Sequence, residues 1–367
     1  MISLNNQRKT FFFLPVYPKW ETGGQKMQSI IFEKLKSKNM PSFVFGNSDK
    51  IKTINSYKLL KVLFGLKCYF MLPRRSVIVV TGNDCVHLVL PLLLNRIWGN
   101  HYYLMVVHHL ITEEKTKKLL KLLEYWFILH SHKIITISDS TNKDLMESGL
   151  IKHPVPVLTP GIDNDLIPDK GLKYEDIKQK VRKPCGKIKL LFIGTVEERK
   201  GLIYLLQAIA KLKGINLELV IAGKFSNNDD YYKKLRNFIS ESGISDRIIF
   251  SGRISQQELM KLLAESDIFV FPSLWEGYGM VVCEAMSSGL PVIISDIPSL
   301  HSIVDNGING LMVKPRDSDS LKEAIIKVVT DSALMETLSK NAFIKSRSFP
   351  SWDDTANEFG KILNTII

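Results

Sequence analysis

A chain of 367 residues, 45% hydrophobic and 23% charged, is long enough for two domains of ordinary size and excludes a disordered or fibrous protein. Its four widely spaced cysteines contain no Cys-x-x-Cys pair, which excludes a disulfide framework and a zinc ribbon and fits a reducing compartment. The net charge of +12 is lopsided, with 23 Lys and Arg against 13 Asp and Glu in residues 1–170 and 26 against 24 in the remainder, so an anionic partner is expected on the first half.

The first elements follow in order. Residues 10–14 read as a buried strand, a loop runs to Gly23-Gly24, and residues 25–38 show helical spacing; a Gly-Gly turn at such a junction is a candidate phosphate loop. The apolar run at 11–16 is too short for a signal peptide and no stretch of about 18 apolar residues exists, so a cytoplasmic protein is expected. Further strands are expected at 42–45, 77–80 and 102–107, the last ending in His108-His109-Leu110. Residues 114–129 form a basic amphipathic helix, with Lys117, Lys118 and Lys121 on one face and Leu119, Leu122, Leu123 and Trp126 near another. Together with the lysine-spaced apolar stretch 58–75, it either docks on acidic lipid or packs on its own sheet; the second use is the commoner one for an apolar helix face. Zinc-finger spacing, an aromatic RNP-like segment and a recognition helix are all lacking, so no nucleic acid is expected.

Residues 133–138 read as a strand leading to a helix start at Asp139-Ser140-Thr141, and 155–158 lead to Thr159-Pro160-Gly161-Ile162-Asp163. Asp163-Asn164-Asp165 is an acid pair of a kind that can hold a metal, but it follows a glycine turn and such pairs arise often by chance, so no metal is assigned. The polar stretch 164–188 supplies a linker. The expected domains are 1–168, a linker at 169–188, 189–346, and a C-terminal helix over 347–367 after the break at Pro350. Short apolar runs at 189–193, 217–222, 248–250, 268–271 and 292–294, with helical segments after the first four, call for a parallel sheet covered on both faces. Ligands of such sheets gather at the carboxyl ends of the strands. The loop after the first run, Gly194-Thr195-Val196-Glu197-Glu198-Arg199-Lys200-Gly201, carries two cations there; the turns at Gly223 and Ser251-Gly252-Arg253 follow the next two runs, and a further helix is expected over 319–330.

The most informative stretch is Phe271-Pro272-Ser273-Leu274-Trp275-Glu276-Gly277-Tyr278-Gly279-Met280-Val281-Val282-Cys283-Glu284-Ala285-Met286-Ser287-Ser288-Gly289-Leu290-Pro291. It reads as strand, glycine turn, helix, helix stop. Glu276 hangs in the turn and Glu284 lies just over one turn inside the helix, while the N–H groups of Gly279 to Val282 at the helix start form a seat for phosphate. Pro-Ser-x-x-Glu-Gly-Tyr-Gly with Glu-x7-Glu and Glu-Ala-Met-x-x-Gly-x-Pro-Val resembles the donor-binding signature of glycosyltransferase family 4, retaining transferases of the GT-B fold.

That resemblance implies an α/β chain of two Rossmann-like domains facing each other across a cleft, an N-terminal acceptor domain and a C-terminal nucleotide-sugar domain, with the last helix crossing back to the first. It implies a donor site of Gly24, Arg199, Lys200, Gly277, Tyr278, Gly279, Met280, Val281 and Glu284, with Gly24 in a loop that closes over the diphosphate. Glu276, His108, Lys200 and Arg199 are its catalytic candidates. A histidine commonly ends the family's matching strand, often followed by Asp; here His108 is followed by His109, which leaves open which ring faces the cleft. The family's Arg after the first glycine is Thr195 here, and Arg199 is the candidate to replace its charge.

The implied activity is transfer of a hexose-type sugar from a UDP- or GDP-sugar to a hydroxyl of a glycan or lipid-linked acceptor, as in cell-surface polysaccharide or glycolipid assembly, with no cofactor or metal and with a peripheral place on the inner face of a membrane as one option. A non-hydrolysing sugar-nucleotide epimerase of the same fold and a catalytically silent binding partner are the alternatives.

Overall fold

The apolar runs become parallel strands. The computed structural model describes residues 10–13, 23–37, 42–45, 66, 69–70, 72–81, 85, 88–108, 118–166, 174 and 186–366; His109, Lys117 and most of 58–75 and of the linker lie outside these. The chain divides into two units, Met1–Gly161 with Pro350–Ile367, and Ile162–Phe349.

Unit 1 runs β1 (Thr10–Phe13), α1 (Gly23–Ser37), β2 (Ser42–Phe45), β3 (Ser76–Thr81), α2 (Val89–Trp98), β4 (His101–Val107), α3 (Lys118–His130), β5 (Lys133–Thr136) and α4 (Asp139–Glu147). Its five strands are parallel in the order β2-β1-β3-β4-β5. Six of the seven residues of β4 are buried, as expected of a central strand with helices on both faces. Tyr103, Met105 and Val107 pack with Ile78, Val80, Leu92 and Phe127 as one core. Two local readings change. Gly23 and Gly24 are the first residues of α1 rather than the loop before it, and β5 stops at Thr136 because Ser138 turns out to cap α4, its Oγ accepting from the Thr141 N–H at 3.2 Å.

Unit 2 runs β6 (Ile188–Ile193), α5 (Leu202–Lys211), β7 (Leu217–Ala222), α6 (Asp230–Glu241), β8 (Ile248–Gly252), α7 (Gln256–Glu265), β9 (Ile268–Phe271), α8 (Met280–Ser287), β10 (Val292–Ser295), β11 (Leu311–Val313), α9 (Ser318–Thr330) and α10 (Ser332–Ser346). All six strands are parallel, in the order β11-β10-β9-β6-β7-β8. The chain winds outward from β6 in one direction as far as β8, then returns to lay β9 on the other side of β6. The order therefore reverses between β6 and β9, and the crevice outside their carboxyl ends is where such a sheet takes its ligand.

After Phe349 the chain rejoins unit 1 as α11 (Trp352–Asn364), which packs against α1. Ser351 and Asp354 form its capping box, Lys34 Nζ meets Asp353 at 2.7 Å, and the Thr355 hydroxyl donates to the Thr159 carbonyl at 2.9 Å. Both units are α/β with wholly parallel sheets, a Rossmann-like layering.

Candidate functional site

The two loops that leave β6 and β9 meet. After β6 the chain makes a short 3-10 turn over Glu198–Lys200, closed by Gly201 in the left-handed region at φ 65°, and α5 starts from that glycine. A Cβ at Gly201 would run into the Pro272 carbonyl oxygen, so glycine allows the two loops to lie this close. The Leu274 N–H donates to the Arg199 carbonyl at 2.7 Å and stitches them together.

This contact sets the side chains. Lys200 and Glu276 are both buried except for a tenth of each side chain, and Lys200 Nζ donates to Glu276 Oε1 at 2.5 Å. The Ser273 hydroxyl donates to the same oxygen at 2.6 Å, and Arg199 Nη1 stands 3.4 Å from it. Arg199 is held from its other side by Glu197, at 2.6 Å from Nη2, and its guanidinium lies 5.8 Å from the centre of the Trp275 ring. Adjacent like charges are thus tolerated because two carboxylates divide them. Among the described residues every donor goes to Oε1 and none to Oε2.

Electrostatics follow from burial and pairing. Burial pushes the Glu276 carboxyl up, but the Lys200 and Arg199 charges and the hydrogen bonds from Lys200 and Ser273 outweigh it and hold the group below its ordinary value. Burial pulls the Lys200 ammonium down, an effect that the Glu276 charge opposes. The pair is ionised, because neutralising either partner would leave the other charge buried and uncompensated.

Next along the chain, Gly279 caps α8 at φ 104°, where a Cβ would also strike the Leu300 side chain. No side chain caps this helix and its first turn holds no acid, so its leading N–H groups face outward at the positive end of the helix. Met280 and Val281 are half-buried, whereas Glu284 is buried one turn further in. Tyr278 turns its ring into the core beside Cys283, and both groups are pushed to higher pKa by burial, so only its backbone is left for a ligand.

The structure therefore brings Lys200, Arg199, Glu276 and the 277–281 turn together at the reversal of strand order in unit 2. His108 and Gly24 belong to unit 1. His108 directly follows β4, is buried, and has no hydrogen-bond partner for Nε2 among the described residues; burial lowers its pKa to about 4. Gly24 offers its N–H in the first turn of α1. Three participants escaped the sequence reading: Ser273, Glu197 and Trp275. Ser273 had a signal, a hydroxyl three residues before Glu276 in a tight turn; the other two had none. Among the described residues no group of three or more His, Cys, Asp or Glu is placed to hold a metal, and Asn164 and Asp165 lie in a 3-10 turn over Asn164–Leu166.

Comparison with known proteins places this architecture. Residues 173–345 match the family model Glycosyl transferases group 1. An uncharacterised glycosyltransferase of Methanocaldococcus jannaschii is 30% identical over 247 residues, which are 66% of this chain and 62% of that protein; the match thus spans about three-fifths of the length of that relative. Among solved structures, the sucrose-phosphate synthase of Thermosynechococcus elongatus superposes with a TM-score of 0.80 at 19% identity, covering 98% of this chain and 99% of the other. An Anabaena protein crystallised with UDP and glucose does so with a TM-score of 0.77 at 17% identity, covering 98% and 100%. The fold is GT-B.

Proposed function

We propose that this chain, whose residues 173–345 match the glycosyl transferases group 1 model and whose fold is GT-B, is a retaining glycosyltransferase that moves a hexose from a nucleoside diphosphate to a hydroxyl of a glycan or lipid-linked acceptor. The observation that carries this reading is the buried Lys200–Glu276 pair, with Arg199 and Ser273 on the same oxygen, beside the uncapped start of α8 at the reversal of strand order.

The roles follow from the donor count. An ammonium has three N–H bonds and Lys200 gives one to Glu276, so two remain for the oxygens of a diphosphate. Glu197, Arg199, Lys200 and Glu276 cancel in charge, so the excess attraction for an anion comes from the N–H groups at the start of α8. These groups are rigid before the substrate arrives and stabilise charge as it grows on the leaving diphosphate. Glu276, fixed through Oε1, turns its Oε2 to the sugar hydroxyls, and Glu284 accepts from the ribose. In the transfer the bond from the anomeric carbon to the diphosphate oxygen breaks and a bond to the acceptor oxygen forms on the same face. The acceptor proton passes to the departing diphosphate. The reading requires no metal, because cationic side chains and backbone N–H groups meet the diphosphate charge.

Calorimetric titration of the protein with UDP, GDP and ADP tests the donor site. One nucleotide is expected to bind, and Glu284→Ala is expected to weaken it by about tenfold or more, the value of hydrogen bonds to a charged group. If none of the three binds a folded protein, the transferase reading fails.

A further inference from the structure

Helix α2 carries exposed apolar side chains on its outer side. Its inner face is fully used: Pro91 and Leu92 are buried, and Asn95 is locked to β4 by its Nδ2 donating to the His101 carbonyl at 2.8 Å and its Oδ1 accepting from the His101 N–H at 2.7 Å. Its outer face carries Leu90, Leu93 and Ile97 at helical spacing, all exposed, with Ile97 at 75%. Trp98 follows, exposed, and lies against Phe70, itself 65% exposed, with ring centres 6.1 Å apart. Helix α3 packs beside α2 and repeats the pattern: Phe127 and Ile128 face the core, while Leu119, at 64%, Leu122 and Leu129 face outward. Apolar side chains on both faces of a helix are ordinarily covered on both, by protein or by lipid.

The rim is cationic. Arg96 is exposed between Leu93 and Ile97, Lys118 stands one turn before Leu122, and Arg74 and Arg75 are exposed at the Trp98 end, where the Arg75 N–H donates to the Asn100 carbonyl at 2.5 Å. Residues 88–108 contain no Asp or Glu, and the only acid of α3, Glu124, is buried. The sequence placed the basic amphipathic pattern on residues 114–129, with lipid docking or packing on the sheet as its two uses; in the structure Trp126 is half-buried against His130, and α2 supplies the larger apolar face.

We propose that unit 1 docks on an anionic lipid bilayer, laying the outer faces of α2 and α3 into the headgroup boundary with Phe70 and Trp98 at the interface and Arg74, Arg75, Arg96 and Lys118 on the phosphates. Ten residues of helix span about 15 Å, half of the hydrocarbon core of a bilayer, so α2 lies on the membrane and does not cross it. Among the described residues no helix is long and apolar enough to cross. A second copy of this chain is a poor occupant: a two-fold contact sets each patch against itself and opposes these cations to one another. A surface of phosphate headgroups over hydrocarbon complements both the charge and the apolar face.

The test is sedimentation of the full chain with vesicles of phosphatidylcholine alone or mixed with phosphatidylglycerol. Binding to the mixed vesicles is expected, weak binding to the neutral ones, and loss of binding at high salt. Ile97→Glu is expected to lower partitioning by about tenfold or more, and Arg74→Glu with Arg75→Glu by about fivefold per charge removed. Brominated lipid is expected to quench Trp98, a signal that disappears in Trp98→Phe. The proposal is overturned if the folded wild-type chain ignores the mixed vesicles at low salt, or if Ile97→Glu binds them as the wild type does. It is overturned equally if the chain sediments as a dimer that Ile97→Glu dissociates, which would make a second copy the occupant. Calorimetric binding of the nucleotide is unchanged in these variants, so this test and that of the donor site stand or fall separately.

Discussion

The two units treat charge in opposite ways. In unit 2 the cations that matter are folded inward: Lys200 is buried against Glu276, and Arg199 is divided between two carboxylates. In unit 1 Arg74, Arg75, Arg96 and Lys118 stand in solvent beside exposed apolar side chains, and the buried His108, just after β4, is held neutral by burial. Charge that must act on one ligand atom is preorganised and desolvated, at the cost of needing a partner; charge that meets a surface needs neither burial nor a fixed partner. Under the two proposals above, the same residue types would serve chemistry in one unit and adhesion in the other.

The contrast breaks first at Lys200. Lys200→Ala should remove nucleotide binding and lower kcat/KM by about two to three orders of magnitude, the usual effect of losing one preorganised donor. It also strands Glu276 in the interior, so thermal unfolding should show a loss of about 3–5 kcal/mol, whereas cation removal on unit 1 should leave stability within about 0.5 kcal/mol.

His108 gives the next largest effect, and only below neutrality. Its pKa is lowered to about 4 by burial, against an ordinary 6.5, so the unfolded chain takes up a proton between these values before the folded one does. Stability therefore falls as the pH drops from about 6.5 to about 4, by roughly 3 kcal/mol across the window. His108→Gln should make that part of the stability profile shallower, leaving the contributions of His101 and His132, whose pKa values burial also lowers; denaturant unfolding at several pH values measures it.

Ser273→Ala should cost less, about 1.5 kcal/mol in kcat/KM, because Glu276 keeps Lys200 but loses a hydrogen bond to a charged acceptor. The Glu276 carboxyl is held below its ordinary value, so its pairing contributes fully above the ordinary carboxylate range and is lost as the pH falls through the lowered pKa. Without the Ser273 donor that loss should begin at a higher pH, which the acid limb of the rate profile reports and which Ser273→Thr should restore. The smallest effect is expected for Ile97→Glu on unit 1, with a change in thermal unfolding within about 0.5 kcal/mol, since that side chain packs on nothing it would lose.

Much of unit 2 was legible because its signals are local. A strand, a glycine turn and a helix start occupy residues 268–287 in sequence and in space, so Glu276, Gly279 and the start of α8 were read together. Strand β11 was not: three residues, Leu311–Val313, carry no periodicity, and what places them is a turn in which the Asn306 side chain accepts from the Met312 N–H at 2.9 Å. Helix α10 was missed as well: the helix expected over 319–330 ends at Asp331, and that same residue caps α10.

The amino-acid order by itself determined the alternation of strands and helices, the parallel sheets that follow from it, and the residue types offered at the strand ends, because periodicity, glycine turns and caps act within a few residues of one another. Only the tertiary structure decided that Lys200 and Glu276, 76 residues apart, share a hydrogen bond, since that depends on β9 returning to pair with β6. It alone decided which face of α2 is outside: Leu-Pro-Leu-Leu-Leu reads as core from any side, and the choice was made by Asn95 locking one face to β4.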